Sequence, residues 1–153
     1  MLVAIDTSVL VAWTVAKHPF HARATPWFDA IYRGEFDAMV CAHALAELYS
    51  VLTKIPEGLS PIAARLAVAN VPNRIRVVPL TVGAYRAALD RCAERSLRSG
   101  SVFDALHLVA AERKGATALV TFNRDDFARL SEGDTVRVVV PPDPPSVDFT
   151  VLP

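Results

Sequence analysis

Short apolar runs alternate with stretches of helical period along almost the whole chain, and this alternation limits the fold more than any other feature. Leu2 to Ile5, Ala38 to Cys41, Ile75 to Leu80, Thr117 to Thr121 and Val136 to Val140 each read as a buried strand. Between them, apolar residues recur at three- and four-residue spacing. A helix after the first strand carries Val9, Leu10, Ala12, Trp13 and Ala16 and stops near His18-Pro19. The next covers Phe20 to Tyr32 and ends at Gly34, with Pro26 awkwardly inside it. A strongly periodic helix spans Ala42 to Ile55, and Ser60-Pro61 opens another. Helices then cover Val82 to Leu97, Val102 to Lys114 before Gly115, and Asp125 to Leu130. Strands alternating with helices predict a parallel α/β sheet covered on both faces. Ligands of such sheets bind outside the carboxyl ends of the strands.

The chain of 153 residues suits one domain with a real core. Its 52% hydrophobic content and mean hydropathy of +0.31 exclude disorder and leave room for an apolar partner surface. No run approaches the roughly 20 apolar residues of a membrane span, so the expected location is the cytoplasm. Cys41 and Cys92 belong to no CxxC pair and read as reduced, buried side chains. The domain is expected over residues 1–140. Residues 141–153 contain Pro141, Pro142, Pro144 and Pro145 and read as an extended or loosely packed tail. Sixteen basic residues balance sixteen acidic ones, which gives no global attraction to nucleic acid.

The chemistry points to acids. Asp6 directly follows the first strand. It reads either as a helix N-cap or as a carboxylate displayed at the strand end. Glu47 shares a helical stripe with Ala44, Leu48 and Val51. A carboxylate there is unfavourable unless it reaches solvent, is paired or binds metal. Asp104 lies three residues after Ser101, which fits a capping box, but a first-turn acid also faces outward from a helix N-terminus. In Thr121-Phe122-Asn123-Arg124-Asp125-Asp126-Phe127, Asn123 and Asp126 fit a helix start or the same carboxyl edge, with Asp125 toward solvent. Two strand ends and two helix starts thus bring acids to one edge. Clustered carboxylates repel and call for a cation. Oxygen ligands without Cys or His select Mg²⁺ or Mn²⁺ over zinc.

Ile5-Asp6-Thr7-Ser8-Val9-Leu10, Ala46-Glu47-Leu48, Phe103-Asp104-Ala105-Leu106-His107-Leu108-Val109-Ala110-Ala111 and the Thr121–Phe127 segment resemble the four ordered motifs of PIN domains. The likeness is greatest to VapC toxins of bacterial toxin–antitoxin pairs and runs from about Leu2 to Val140. It implies a three-layer α/β/α sandwich and a metal-dependent endoribonuclease. It also implies a homodimer and a VapB-like antitoxin that covers the acidic site. By position, Asp6, Glu47 and Asp104 match the family's acids. Asn123 stands where many relatives have Asp, so Asp126 is expected to complete the site, with Ser8, Thr121 and Asn123 orienting the carboxylates.

Metal-activated water would then hydrolyse an RNA phosphodiester without a side-chain nucleophile. His107, three residues past Asp104, could face the site but is expected to be a packing or surface residue. Arg91, Arg95 and Arg98 fall at i, i+4 and i+7, either a phosphate-binding stripe or a solvated face beside Glu94. Lys54, Arg113, Lys114 and Arg124 are further cationic candidates. An aspartyl-phosphate phosphatase would need a second Asp two residues after the first, where Ser8 stands. The remaining competitor is a PIN fold that only binds, which needs no acids.

Overall fold

A computed structural model describes residues 1–55, 58–71, 73–131 and 135–142. Most of the tail expected over 141–153 lies outside the described residues. Among the described residues, strands and helices alternate in this order: β1 (Leu2–Ile5), α1 (Thr7–Thr14), α2 (His21–Arg33), β2 (Asp37–Cys41), α3 (His43–Lys54), α4 (Pro61–Ala69), β3 (Ile75–Val78), α5 (Val82–Glu94), α6 (Ser101–Arg113), β4 (Ala118–Val120), α7 (Arg124–Leu130) and β5 (Arg137–Val139). The sheet order is β3-β2-β1-β4-β5 and every pairing is parallel. None of the described helices is long and apolar enough to cross a membrane.

The chain winds outward from β1 through β2 to β3, then returns to the other side of β1 for β4 and β5. Parallel crossovers are right-handed, so reversing direction puts the later helices on the opposite face. Contacts agree: α1 packs on α2 and α3, and α3 on α4, while α5 packs on α6 and α6 on α7. Hence the three layers. The reversal leaves the carboxyl ends of β1 and β4 side by side, the usual position of a ligand crevice.

The central strands β1 and β4 are apolar on both faces because both are covered, whereas the edge strands β3 and β5 expose Arg76, Val77 and Arg137. Val3, Ala4, Ile5, Ala118, Leu119 and Val120 are all buried. Trp27 and Phe28 from α2, Leu48 and Leu52 from α3, Leu106 and Leu108 from α6 and Phe127 from α7 fill the two layers. Pro26 stays inside α2. Cys41 and Cys92 are free and buried, as expected.

Helix ends show where local chemistry decides. Ser60 caps α4 through its hydroxyl, with Pro61 at the first turn. Gly34 (φ +76°) ends α2, with Gly34 N–H donating to Ile31 O and Glu35 N–H to Ala30 O. Gly115 (φ +68°) repeats the pattern after α6. This paired arrangement needs a left-handed residue, which glycine supplies without a Cβ penalty. The end of α5 is a correction. It stops at Glu94 rather than Leu97, because Ser96 takes φ +54° and Leu97 N–H donates back to Cys92 O. Serine does there what glycine usually does, so no glycine marks the stop.

Two alanine substitutions test this account. Gly34→Ala is expected to lower stability by about 1–2 kcal/mol through left-handed strain, and its Cβ would lie 3.2 Å from an Arg74 guanidinium nitrogen. Gly100→Ala, at φ −61° with nothing near its Cβ, should stay within about 0.5 kcal/mol of wild type. Urea midpoints at a common slope would measure both, and equal losses would refute the assignment.

Candidate active site

Asp6 is the N-cap of α1, so its backbone leaves β1 extended and its side chain turns back over the first helical turn. Its Oδ2 accepts from Ser8 N–H at 3.3 Å, Ser8 Oγ at 2.5 Å and Thr121 Oγ1 at 2.8 Å. Ser8 Oγ accepts Phe122 N–H at 3.0 Å, and Thr121 Oγ1 accepts Asn123 N–H at 2.9 Å. The two hydroxyls therefore stitch the loop after β4 to the carboxylate after β1. All three bonds fall on Oδ2, which leaves Oδ1 as the oxygen with spare capacity. Ser8 and Thr121, expected to orient the carboxylates, both donate to Asp6 Oδ2.

Glu47, from the second turn of α3, accepts Thr7 Oγ1 at 2.8 Å and lies 2.6 Å from His107 Nε2. Its side chain is only 24% exposed. His107 is buried, and its Nδ1 lies 3.5 Å from Cys41 Sγ. Burial opposes the imidazolium, but hydrogen bonds to Cys41 and Glu47 and the nearby Asp6 charge outweigh it, holding the His107 pKa well above the usual value. Burial also raises the Glu47 carboxyl, yet His107 and Thr7 reverse this, and the net shift is downward. His107 is therefore packed in the interior rather than on the surface, and it also faces the site. It is the polar centre that clamps Glu47, and it also lies 3.9 Å from Asp6 Oδ1. The three-residue step from Asp104, with a polar ring on the buried side of α6, was the available signal.

Asp104 sits in the first turn of α6. The expected capping box is not formed: Gly100 is the N-cap, Ser101 is already helical, and no side chain caps the end. Asp104 is thus not spent on the helix. Burial first, then the charges of Asp6, Asp126 and Glu47, push its carboxyl up to about 7, against a smaller opposing effect of His107. A half-buried acid crowded by three others is a common mark of a functional site.

Asp6, Glu47 and Asp104 line one cavity of about 650 Å³, together with Thr7, Ser8 and Asn123. Asn123 is the N-cap residue of α7, yet its side chain makes no capping bond. Asp126 does not line the cavity and pairs with Arg129, although its charge reaches Asp104. Asp125 is exposed, as expected. Among the described residues, no three His, Cys, Asp or Glu side chains converge at ligand distance on one point. The donors still suit a hard cation: carboxylate oxygens from three elements, one held near neutral pKa by its neighbours.

The arginine stripe is also corrected. Arg91 forms a two-pronged pair with Glu112 at 2.9 Å, tying α5 to α6. Arg95 caps the end of α5 and Arg98 lies beyond it, so the three do not share a helix face. None lines the acidic cavity.

A family model for the PIN domain matches residues 3–133. Ribonuclease VapC40 of Mycobacterium tuberculosis is 34% identical over 120 residues, 77% of this chain and 84% of its own length. Ribonuclease VapC27 of the same organism is 35% identical over 119 residues, 75% of this chain and 81% of its own. Among solved structures, M. tuberculosis VapC20, a sarcin-ricin loop cleaving toxin, shares the fold at TM-score 0.67 and 22% identity, over 82% of this chain and 93% of that one. The Rickettsia felis VapBC2 complex bound to a promoter DNA fragment matches at TM-score 0.67 and 17% identity, over 92% and 98%. With the matched segment spanning all three cavity acids, the chain belongs to the PIN-domain family.

Proposed function

We propose that this protein is a Mg²⁺- or Mn²⁺-dependent endoribonuclease and the toxin half of a toxin–antitoxin pair. The observation that carries the reading is the meeting of Asp6, Glu47 and Asp104, remote in sequence, around one cavity at the carboxyl edge of the sheet. The VapC ribonucleases among its relatives supply the reaction class.

Asp6 and Asp104 are the residues that would hold the ion, with Glu47 beside them. When bound, the ion supplies Lewis acidity and a water of lowered pKa. Mg²⁺ keeps several waters and takes only one or two carboxylates directly, so the acids need not converge on a point. Ser8 and Thr121 fix the Asp6 rotamer. His107 and Thr7 keep Glu47 ionised and facing the cavity. Asn123, free of a capping bond, is placed to orient water or phosphate. Asp126 contributes a fourth negative charge, felt at Asp104, and its direct participation requires release from Arg129.

A homodimer and a VapB-like antitoxin complete the proposal. Exposed apolar side chains at Val82, Tyr85 and Leu89 on α5, and at Tyr49, Ile62 and Leu66 on α3 and α4, are surfaces that protein partners would cover.

Purified protein and its variants incubated with total RNA test the activity. Asp6→Asn and Asp104→Asn should each lose at least the roughly 100-fold that a supporting group alone can cost a metal site. A chelator should abolish wild-type cleavage. Undiminished cleavage by Asp6→Asn would sink the reading.

Proton linkage gives a second test that needs no substrate. Without metal, the folded chain retains the Asp104 proton between its ordinary pKa of 3.8 and about 7, whereas the unfolded chain has released it. Stability must then fall as pH rises through that window. Asp104→Asn removes this loss, so its advantage over wild type should grow from pH 4 to pH 8. After discounting for solvent screening of a partly exposed group, the gain is about 1–2 kcal/mol. Saturating Mg²⁺ should erase or reverse it, since the ion binds the folded wild type. Thermal melts with chelator and with Mg²⁺ measure both effects, and a difference independent of pH and metal refutes the assignment.

A further inference from the structure

The cavity carries a second set of side chains that hydrolysis does not use. Phe20 and Phe122 stack with centroids 4.6 Å apart and planes 26° from parallel. His43 and Phe103 stack at 4.8 Å and 19°. All four rings line the same cavity as Asp6 and Asp104. Phe20 is 38% exposed and Phe103 42%, while the core rings of Trp27, Phe28 and Phe127 are at most 1% exposed. The chain can bury aromatic rings completely and does not do so here.

Their positions in the fold are specific. Phe122 follows β4 and His43 opens the helix after β2, while Asp6 follows β1, which lies between those strands. One ring of each pair thus follows a strand neighbouring the one that ends at Asp6. Phe103 immediately precedes Asp104, and Phe122 lies between Thr121 and Asn123. The Arg23 guanidinium sits 5.1 Å and 5.3 Å from the Phe20 and Phe122 ring centres and donates to Pro141 O, which steadies the first pair.

Charge argues in the same direction. Non-specific RNA affinity usually comes from Lys and Arg neutralising phosphates. Here the chain is neutral overall and the cavity floor is acidic. Stacking on aromatic rings works for any base and does not depend on net charge. An incoming base would extend each two-ring stack by one.

We propose that the Phe20–Phe122 and His43–Phe103 pairs are stacking platforms for the unpaired bases on either side of the phosphate that is cut. The platforms restrict cleavage to RNA segments whose bases are splayed out of a helix. This inference rests on the nuclease reading above and names how that site holds its substrate.

The test uses the full-length protein with Mg²⁺ and a single-stranded oligoribonucleotide cut at a mapped position. The comparison substrate carries abasic nucleotides on both sides of that position. Wild-type kcat/KM should fall about ten-fold or more on the abasic oligomer, the scale of a lost base–aromatic stack. Phe20→Leu and Phe103→Leu should lower kcat/KM comparably on the intact oligomer, mainly through KM, and lose little more on the abasic one. Phe103→Tyr should restore cleavage. Equal wild-type cleavage of intact and abasic oligomers, or full activity of both Leu variants, overturns the platforms and leaves the nuclease reading standing. A rim used by a protein partner instead would give that result. No cleavage of the oligomer or of total RNA by wild type, with Mg²⁺ or Mn²⁺, overturns the nuclease reading and the platforms together.

Discussion

Three donors converge on one oxygen of Asp6, and the site is organised around that carboxylate. Ser8 and Thr121 each donate to it while accepting a backbone N–H from the loop after β4. A single acid thus joins the end of β1 to the end of β4. Those strand ends are adjacent only because the winding of the sheet reverses between them. The hydrogen bonds hold one oxygen in place and leave the other for chemistry. Satisfied buried polar networks of this kind specify one arrangement, whereas an unpaired member is unfavourable.

Asp6, Glu47 and Asp104 share one cavity, and the charges of Asp6 and Glu47 both act on Asp104. The chain manages them unequally. Glu47 gains a buried partner in His107 and stays ionised, while Asp104 has no such partner and keeps its proton to about neutral pH. Burial and like charges thus raise one carboxyl of the cavity, while, against burial, hydrogen bonds to His107 and Thr7 lower another. Carboxyl groups whose environments push their pKa values apart are a common mark of functional sites. The Glu47–His107 pair also ties α3 to α6, and through Cys41 to the end of β2, so the acid that faces the cavity is held from the core behind it.

A neutral chain under the proposed reading has to find affinity for RNA elsewhere than in net charge. Arg91, the first residue of an apparent cationic stripe, instead makes a half-buried pair with Glu112 that clamps two helices. Half-exposed aromatic rings at the cavity mouth offer contact that net charge does not govern. The cavity thus combines acidic and aromatic side chains in one lining.

Most of the architecture was legible in the sequence because it rests on local rules. Period and composition marked the strands and helices, Ser60-Pro61 marked a helix start, and Gly34 and Gly115 marked helix ends. Asp6, Glu47 and Asp104 stood out as acids at strand ends, on an apolar stripe and at a helix start. The tertiary structure decided what depends on residues far apart in the chain. It made His107 the partner of Glu47, took Arg91 for Glu112 and left Asn123 on the cavity. Two local features, the left-handed serine that ends α5 and the unformed capping box at Ser101, were missed because other residues can take the place that a glycine or a capping serine usually marks. The physical reason is range: backbone preference and hydrophobic period act over a few residues, whereas a side chain's partner and protonation state are set by whatever the folded sheet brings beside it.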